Sequence, residues 1–165
     1  LPPMAYADQK GVLKGLRIDL GYEIAKRLCL KPEFISTEYA AMIPGLQGRR
    51  WDMIDAGLFV TPERLKILYM IPYENLAISI STTVKGGAPI TKVDVAKEYQ
   101  ERGEFTHALS GMYPTPGSLA FGDKAVAEAV AGVMKDMETD GYLEKLLGLY
   151  GVGRAEGGVK VLGPT

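Results

Sequence analysis

The chain has 165 residues, 47% hydrophobic and 24% charged, with 19 Lys and Arg against 20 Asp and Glu for a formal net charge of −1. That composition fits a globular chain and excludes a disordered or collagen-like one, and the length suits one domain with at most a small appendage. No apolar run approaches the roughly 18–20 residues of a membrane-spanning helix, and no basic block or aromatic-interleaved stripe marks a nucleic-acid surface.

In chain order, the opening LPPMAY has neither the basic nor the apolar region of a signal peptide. Gly15–Leu28 puts Ile18, Tyr22, Ile24, Ala25 and Leu28 near one face at helical spacing. Asp19 at its start and Lys26 and Arg27 at its end suit the helix dipole. The single cysteine, Cys29, can form no internal disulfide and reads as a buried, inert thiol. Pro32–Thr37 is predicted as a short strand, Met42–Gln47 as a helix closed by Gly48, and Trp51–Ala56 as a strand. Thr61-Pro62-Glu63-Arg64 is a helix start, with Thr61 as N-cap and Pro62 in the first turn.

Leu76–Val84 is predicted as a long strand, Val93–Arg102 as a helix, and Phe105–Leu109 and Ser118–Phe121 as strands. Asp123–Met137 and Gly141–Leu149 are predicted helices. Strands alternating with helices predict a three-layer α/β domain with a largely parallel sheet. Gly86-Gly87 and Gly157-Gly158 interrupt this pattern, and the second pair precedes a β-type run, Val159–Leu162. Two readings of the pairs stand open: ordinary surface turns, or engineered joints.

Three blocks carry a family likeness: PPMAYADQKGVLKGLRIDLGYEIAKRL, TEYAAMIPGLQGRRWDMIDAGLFVTPER and IPYENLAISISTTVKG. In this order they resemble the first lobe of the periplasmic solute-binding proteins of polar amino-acid ABC importers. SLAFGDKAVAEAVAGVMKDMETDGYLEKLLGLYG resembles that family's C-terminal return to the same lobe, and the likeness covers most of the chain. The stretch TEYAAMIPGLQ to AGLFVTPER looks closest to the ectoine-binding branch.

The resemblance implies a single lobe of periplasmic binding protein type II, with a mostly parallel five-stranded sheet. It assigns residues 1–85 and 105–165 to lobe 1. Residues 86–104 then become a Gly-Gly joint plus a helical remnant of an excised lobe 2. The family opens with a strand before Pro-Pro-aromatic. Placing Val159–Thr165 ahead of Leu1 restores that opening, so the chain reads as a circular permutant with Val159–Leu162 as a central strand.

The resemblance also implies a binding site. Arg64 matches the arginine that holds the ligand carboxylate, a task suited to a bidentate guanidinium. Thr61 belongs to the same motif. Gly57 lies near the C-terminal end of a strand, where open α/β sheets bind ligands, and would let a ligand approach the backbone. Phe59 and Tyr39 resemble aromatic walls able to hold a cationic group by cation–π attraction. Met4 stands where the family usually has an aromatic, and Leu1 where the ectoine branch has an acid. Both departures favour the broader ligand class of an amino acid or similar zwitterion. Asp94, in the lobe-2 remnant, is a further candidate for facing an ammonium.

Signals for an enzyme are poor. His107 sits alone in a strand pattern, and Asp52 and Asp55 follow a buried strand pattern rather than forming an acid/base pair. No metal cluster, phosphate loop or nucleophile motif is present in the sequence, and no cofactor is implied. Three functions remain open: a solute-binding lobe, a dehydratase-like enzyme on the same fold, and a single-lobe folding model without ligand function. The first implies a periplasmic parent protein docking on an ABC permease, with weak ligand binding by one lobe. The open cleft face near Tyr39, Phe59 and Arg64 is predicted to be covered by a second copy in a homodimer, or by Val93–Arg102 folding back.

Overall fold

A computed structural model describes residues 3–82 and 106–164, with side chains except at 77–82 and 106–114. The predicted helix Val93–Arg102, Gly86-Gly87, Asp94, the joint at 86–104 and the side chain of His107 lie outside that description. The chain divides into two compact units, Leu1–Asn75 with Pro116–Thr165, and Leu76–Thr115.

The first unit opens with a small antiparallel pair, β1 (Tyr6–Ala7) and β2 (Leu13–Lys14). The Asp8 side chain closes its turn by accepting from the backbone N–H groups of Lys10 and Val12. Helix α1 (Leu16–Arg27) follows, burying Leu16, Leu20 and Ile24 at four-residue spacing. Asp19 and the Lys26–Arg27 pair sit at the ends that the helix dipole favours. Cys29 lies beyond the helix with a φ of 55° and is exposed, so the buried thiol predicted from the sequence is corrected. Extending the helical face past Arg27 carried that error.

Helix α2 (Tyr39–Gln47) begins three residues earlier than predicted and stops at Gly48. Strand β3 (Met53–Phe59) leads to the one-turn α3 (Pro62–Leu65), where the Thr61 hydroxyl accepts from the Arg64 backbone N–H as its N-cap. Strand β4 (Tyr69–Thr82) is longer than expected, and β5 (Thr106–Phe121) joins the two separately predicted strands into one. Asp123 caps α4 (Lys124–Thr139) by accepting from the Ala125 and Val126 N–H groups at 2.7 and 3.2 Å. Helix α5 (Tyr142–Leu149) starts after Gly141, and the two-residue β6 (Gly153–Arg154) closes the series.

Among the described residues the main sheet has four strands in the order β3-β5-β4-β6, with β3 antiparallel to β5 and β4 antiparallel to β6. The expectation of a mostly parallel, five-stranded sheet is therefore corrected. A parallel crossover needs a dozen or more residues, whereas α3 is a single turn and the long helices α4 and α5 lead only to the short β6. Pro32–Thr37 makes no strand. Its Phe34 instead packs on Tyr22 of α1, with ring centroids 5.1 Å apart. Val159–Leu162 is likewise not a central strand. It contributes one isolated antiparallel bridge, in which Leu162 and Met70 exchange backbone hydrogen bonds of 2.7 and 2.8 Å.

Helices cover both faces of the sheet, giving three layers. One core gathers Leu16, Leu20 and Ile24 of α1 with Ile71 and Tyr73 of β4, Leu119 and Phe121 of β5, and the inner faces of α4 and α5. The other gathers Leu46 of α2 with Ile54 and Leu58 of β3, Met70 of β4 and Ala120 of β5. The two-residue period of the strands sorts these side chains: Ala120 faces one core while its neighbours Leu119 and Phe121 face the other.

Candidate functional site

Four of the predicted residues meet at the end of β3. The N-cap at Thr61 fixes the first turn of α3 and aims Arg64 back toward the strand. One Arg64 guanidinium nitrogen donates to the Phe59 carbonyl at 2.7 Å and the other terminal nitrogen to the Tyr39 hydroxyl at 2.8 Å. Of the five N–H donors of a guanidinium, two are therefore engaged among the described residues, and the group is held in place from α2 and β3. Phe59 is 42% exposed and Tyr39 61% exposed. The result is a cation anchored to the Phe59 backbone and the Tyr39 hydroxyl, beside two exposed aromatic residues, able to accept a planar anion such as a carboxylate.

Gly57 and Met4 are held elsewhere. Gly57 has a φ of +61°, and a Cβ there would lie 2.1 Å from the Arg17 Nη2 and 2.3 Å from the Glu74 Oε1. The missing side chain thus makes room for Arg17 and Glu74. The Met4 carbonyl accepts from the Arg17 backbone N–H at 3.0 Å, and its side chain packs against the larger core.

The functional-looking group that the sequence reading missed is this inner one. Arg17 of α1 donates to Glu74 of β4 at 2.9 Å, with side chains 15% and 0% exposed. Tyr73 donates its hydroxyl to the Asp55 Oδ1 at 3.4 Å. Among the described residues, three further buried atoms have no hydrogen-bond partner: Arg17 Nε, Asp55 Oδ2 and Glu74 Oε2. Burial, reinforced by the Glu74 charge and opposed by Arg17, pushes the Asp55 carboxyl up to about 7. Burial likewise raises Tyr73 well above its ordinary range, so it remains a neutral donor. Asp55 does follow a buried strand pattern in the sequence. Its partners come from segments too distant for any local pattern to join. Two surface clefts of about 630 and 390 Å³ lie along α1, and neither is lined by a predicted site residue.

Residues 1–152 match the family profile described as bacterial extracellular solute-binding proteins, family 3. A probable amino-acid ABC transporter periplasmic-binding protein of Sinorhizobium fredii is 38% identical over 74 residues, 42% of this chain and 25% of that protein. The probable ABC transporter arginine-binding protein ArtJ of Chlamydia trachomatis is 36% identical over 72 residues, 44% of this chain and 28% of that protein. The match thus spans about a quarter of the length of these relatives. Among solved structures, the ancestral amino-acid-binding protein AncCDT-1, described as a precursor of cyclohexadienyl dehydratase, superposes with a TM-score of 0.70 at 21% identity, covering 90% of each chain. An ancestral arginine-binding protein bound to arginine gives 0.69 at 20% identity, covering 90% of this chain and 93% of that one. At such identities these likenesses establish the fold alone.

Proposed function

The chain belongs to the bacterial extracellular solute-binding proteins, family 3, and on that premise we propose that it is the ligand-binding lobe of an amino-acid solute-binding protein. Its ligand is an amino acid or similar zwitterion, which the longer protein carries in the periplasm to an ABC permease. One lobe comprises 1–85 and 105–165, with 86–104 as the joint. The observation that carries this reading is the anchored Arg64 beside the exposed Tyr39 and Phe59. Arg64 takes the carboxylate, the two rings flank the rest of the ligand, and Thr61 holds the turn. Gly57 contributes through the backbone that leads to Phe59. The ring pair also suits a quaternary or delocalised cationic group, such as the amidinium ring of the zwitterion ectoine. The relatives' names support the amino-acid class.

A single lobe leaves one side of the ligand in water. Loss of ~4 kcal/mol of contact moves a micromolar site to about millimolar. NMR shift titration reads that range directly. L-arginine is expected to shift resonances around Arg64 and Tyr39 saturably, and agmatine, its decarboxylated counterpart, is expected to shift them far less. Arg64→Ala removes the L-arginine response. Equal responses to the two compounds, or an unchanged response in Arg64→Ala, would overturn the assignment of Arg64 to the carboxylate.

A further inference from the structure

The inner group beneath Gly57 does something that solute binding does not require. Arg17, Asp55, Tyr73 and Glu74 converge from α1, β3 and β4. They face the two glycines Gly57 and Gly117, whose missing side chains leave the space that Arg17 and Glu74 fill. With every group ionised, one guanidinium confronts two carboxylates. Two carboxylate oxygens, Asp55 Oδ2 and Glu74 Oε2, are then buried acceptors without a donor among the described residues. Burial of an unpaired charge is costly, and a carboxyl so placed takes up a proton instead. The only cation in the group is already committed to Glu74.

We propose that Asp55 is a proton-binding site: the native chain holds it as the neutral acid, leaving Arg17 and Glu74 as a matched ion pair, and gives up that proton at a cost in stability. The charge balance follows directly, since a neutral Asp55 brings the group from −1 to zero. A proton on Oδ2 also converts one of the two orphaned acceptors into a donor. Tyr73 supports the acid from its other oxygen as a neutral donor. Among the described residues, Arg17, Glu74 and Tyr73 are the charged or titratable groups that bear on Asp55.

The sign of the pH dependence is fixed by the raised acidity constant. An aspartate in the unfolded chain titrates near 3.9, and Asp55 in the native chain near 7. Between these values the native chain keeps a proton that the unfolded chain has lost. The stabilisation is complete below about pH 3.9 and declines as pH rises through the window, by up to about tenfold in the folding constant per pH unit. Above about pH 7 it levels off. Asp8, Glu23 and Asp140 are held below their ordinary range, chiefly by hydrogen bonds from Lys14 and Arg27, and act at the acid end.

The test has two readouts on the full chain. Carboxyl-carbon NMR, with the Asp55 signal assigned through Asp55→Asn, should show a midpoint near 7. Urea unfolding at pH 5, 6, 7 and 8 should show the wild-type folding constant falling across the series relative to that of Asp55→Asn, which mimics the neutral acid. The total divergence should reach on the order of a hundredfold. An Asp55 midpoint near 4, or parallel pH profiles for the two proteins, would overturn the proposal. Should Asp55→Asn fail to fold, the wild-type signal with a midpoint near 7 remains identifiable among the aspartates and decides alone.

Discussion

Replacing Gly57 by alanine tests the packing beneath the candidate site, because two separable costs coincide there. The first is backbone strain: a φ of +61° places an L-residue in the left-handed region, at about 1 kcal/mol. The second is collision, since the new Cβ would meet the Arg17 Nη2 at 2.1 Å and the Glu74 Oε1 at 2.3 Å. On a surface, such side-chain ends would swing aside cheaply. Glu74 is wholly buried, so moving it separates a buried ion pair, at about 3–5 kcal/mol. The expected cost is about 4–6 kcal/mol, comparable with the entire stability of many domains.

Two other glycines divide this sum. Gly117→Ala brings a Cβ to 2.6 Å from the Glu74 Oε1 and 2.7 Å from its Cγ without a left-handed backbone, so it should cost about 3 kcal/mol. Gly141→Ala has a φ of +77° with nothing within 4 Å, so it should cost about 1 kcal/mol. Urea unfolding followed by circular dichroism, extrapolated linearly to water, measures all three. If Gly57→Ala costs no more than Gly141→Ala, the claim that Gly57 exists to seat the Arg17–Glu74 pair is wrong. A fully destabilised Gly57→Ala leaves Gly117→Ala to carry the comparison.

Two further outcomes follow from the helices. Met134 is fully buried between α4 and the sheet, and Met134→Ala should cost about 2–4 kcal/mol by cavity formation, read as a lower urea midpoint with an unchanged slope. Asp123 supplies both side-chain bonds that cap α4, and Asp123→Ala should cost about 1 kcal/mol, whereas Asp123→Ser should recover most of it in a thermal melt.

What the amino-acid sequence determined by itself is local. The helical spacing of Ile18, Ile24 and Ala25 marks the buried face of α1, although Tyr22 of the same expected stripe is exposed and Leu16 and Leu20 complete the face instead. The caps at Thr61 and Asp123 act within three residues of themselves. The Thr61 to Arg64 turn was legible for the same reason, and with it the central residue of the candidate site. Strand direction was not legible, because alternation along a strand is the same whichever way its neighbour runs. Nor was the failure of Pro32–Thr37 and Val159–Leu162 to act as sheet strands, since strand pairing depends on which segments arrive beside them. The Arg17–Glu74 pair spans 57 residues of sequence, and in isolation each of its members reads as an ordinary surface charge. Only the convergence of α1, β3 and β4 buries them beside Asp55, and burial is what turns three common side chains into a coupled charge site.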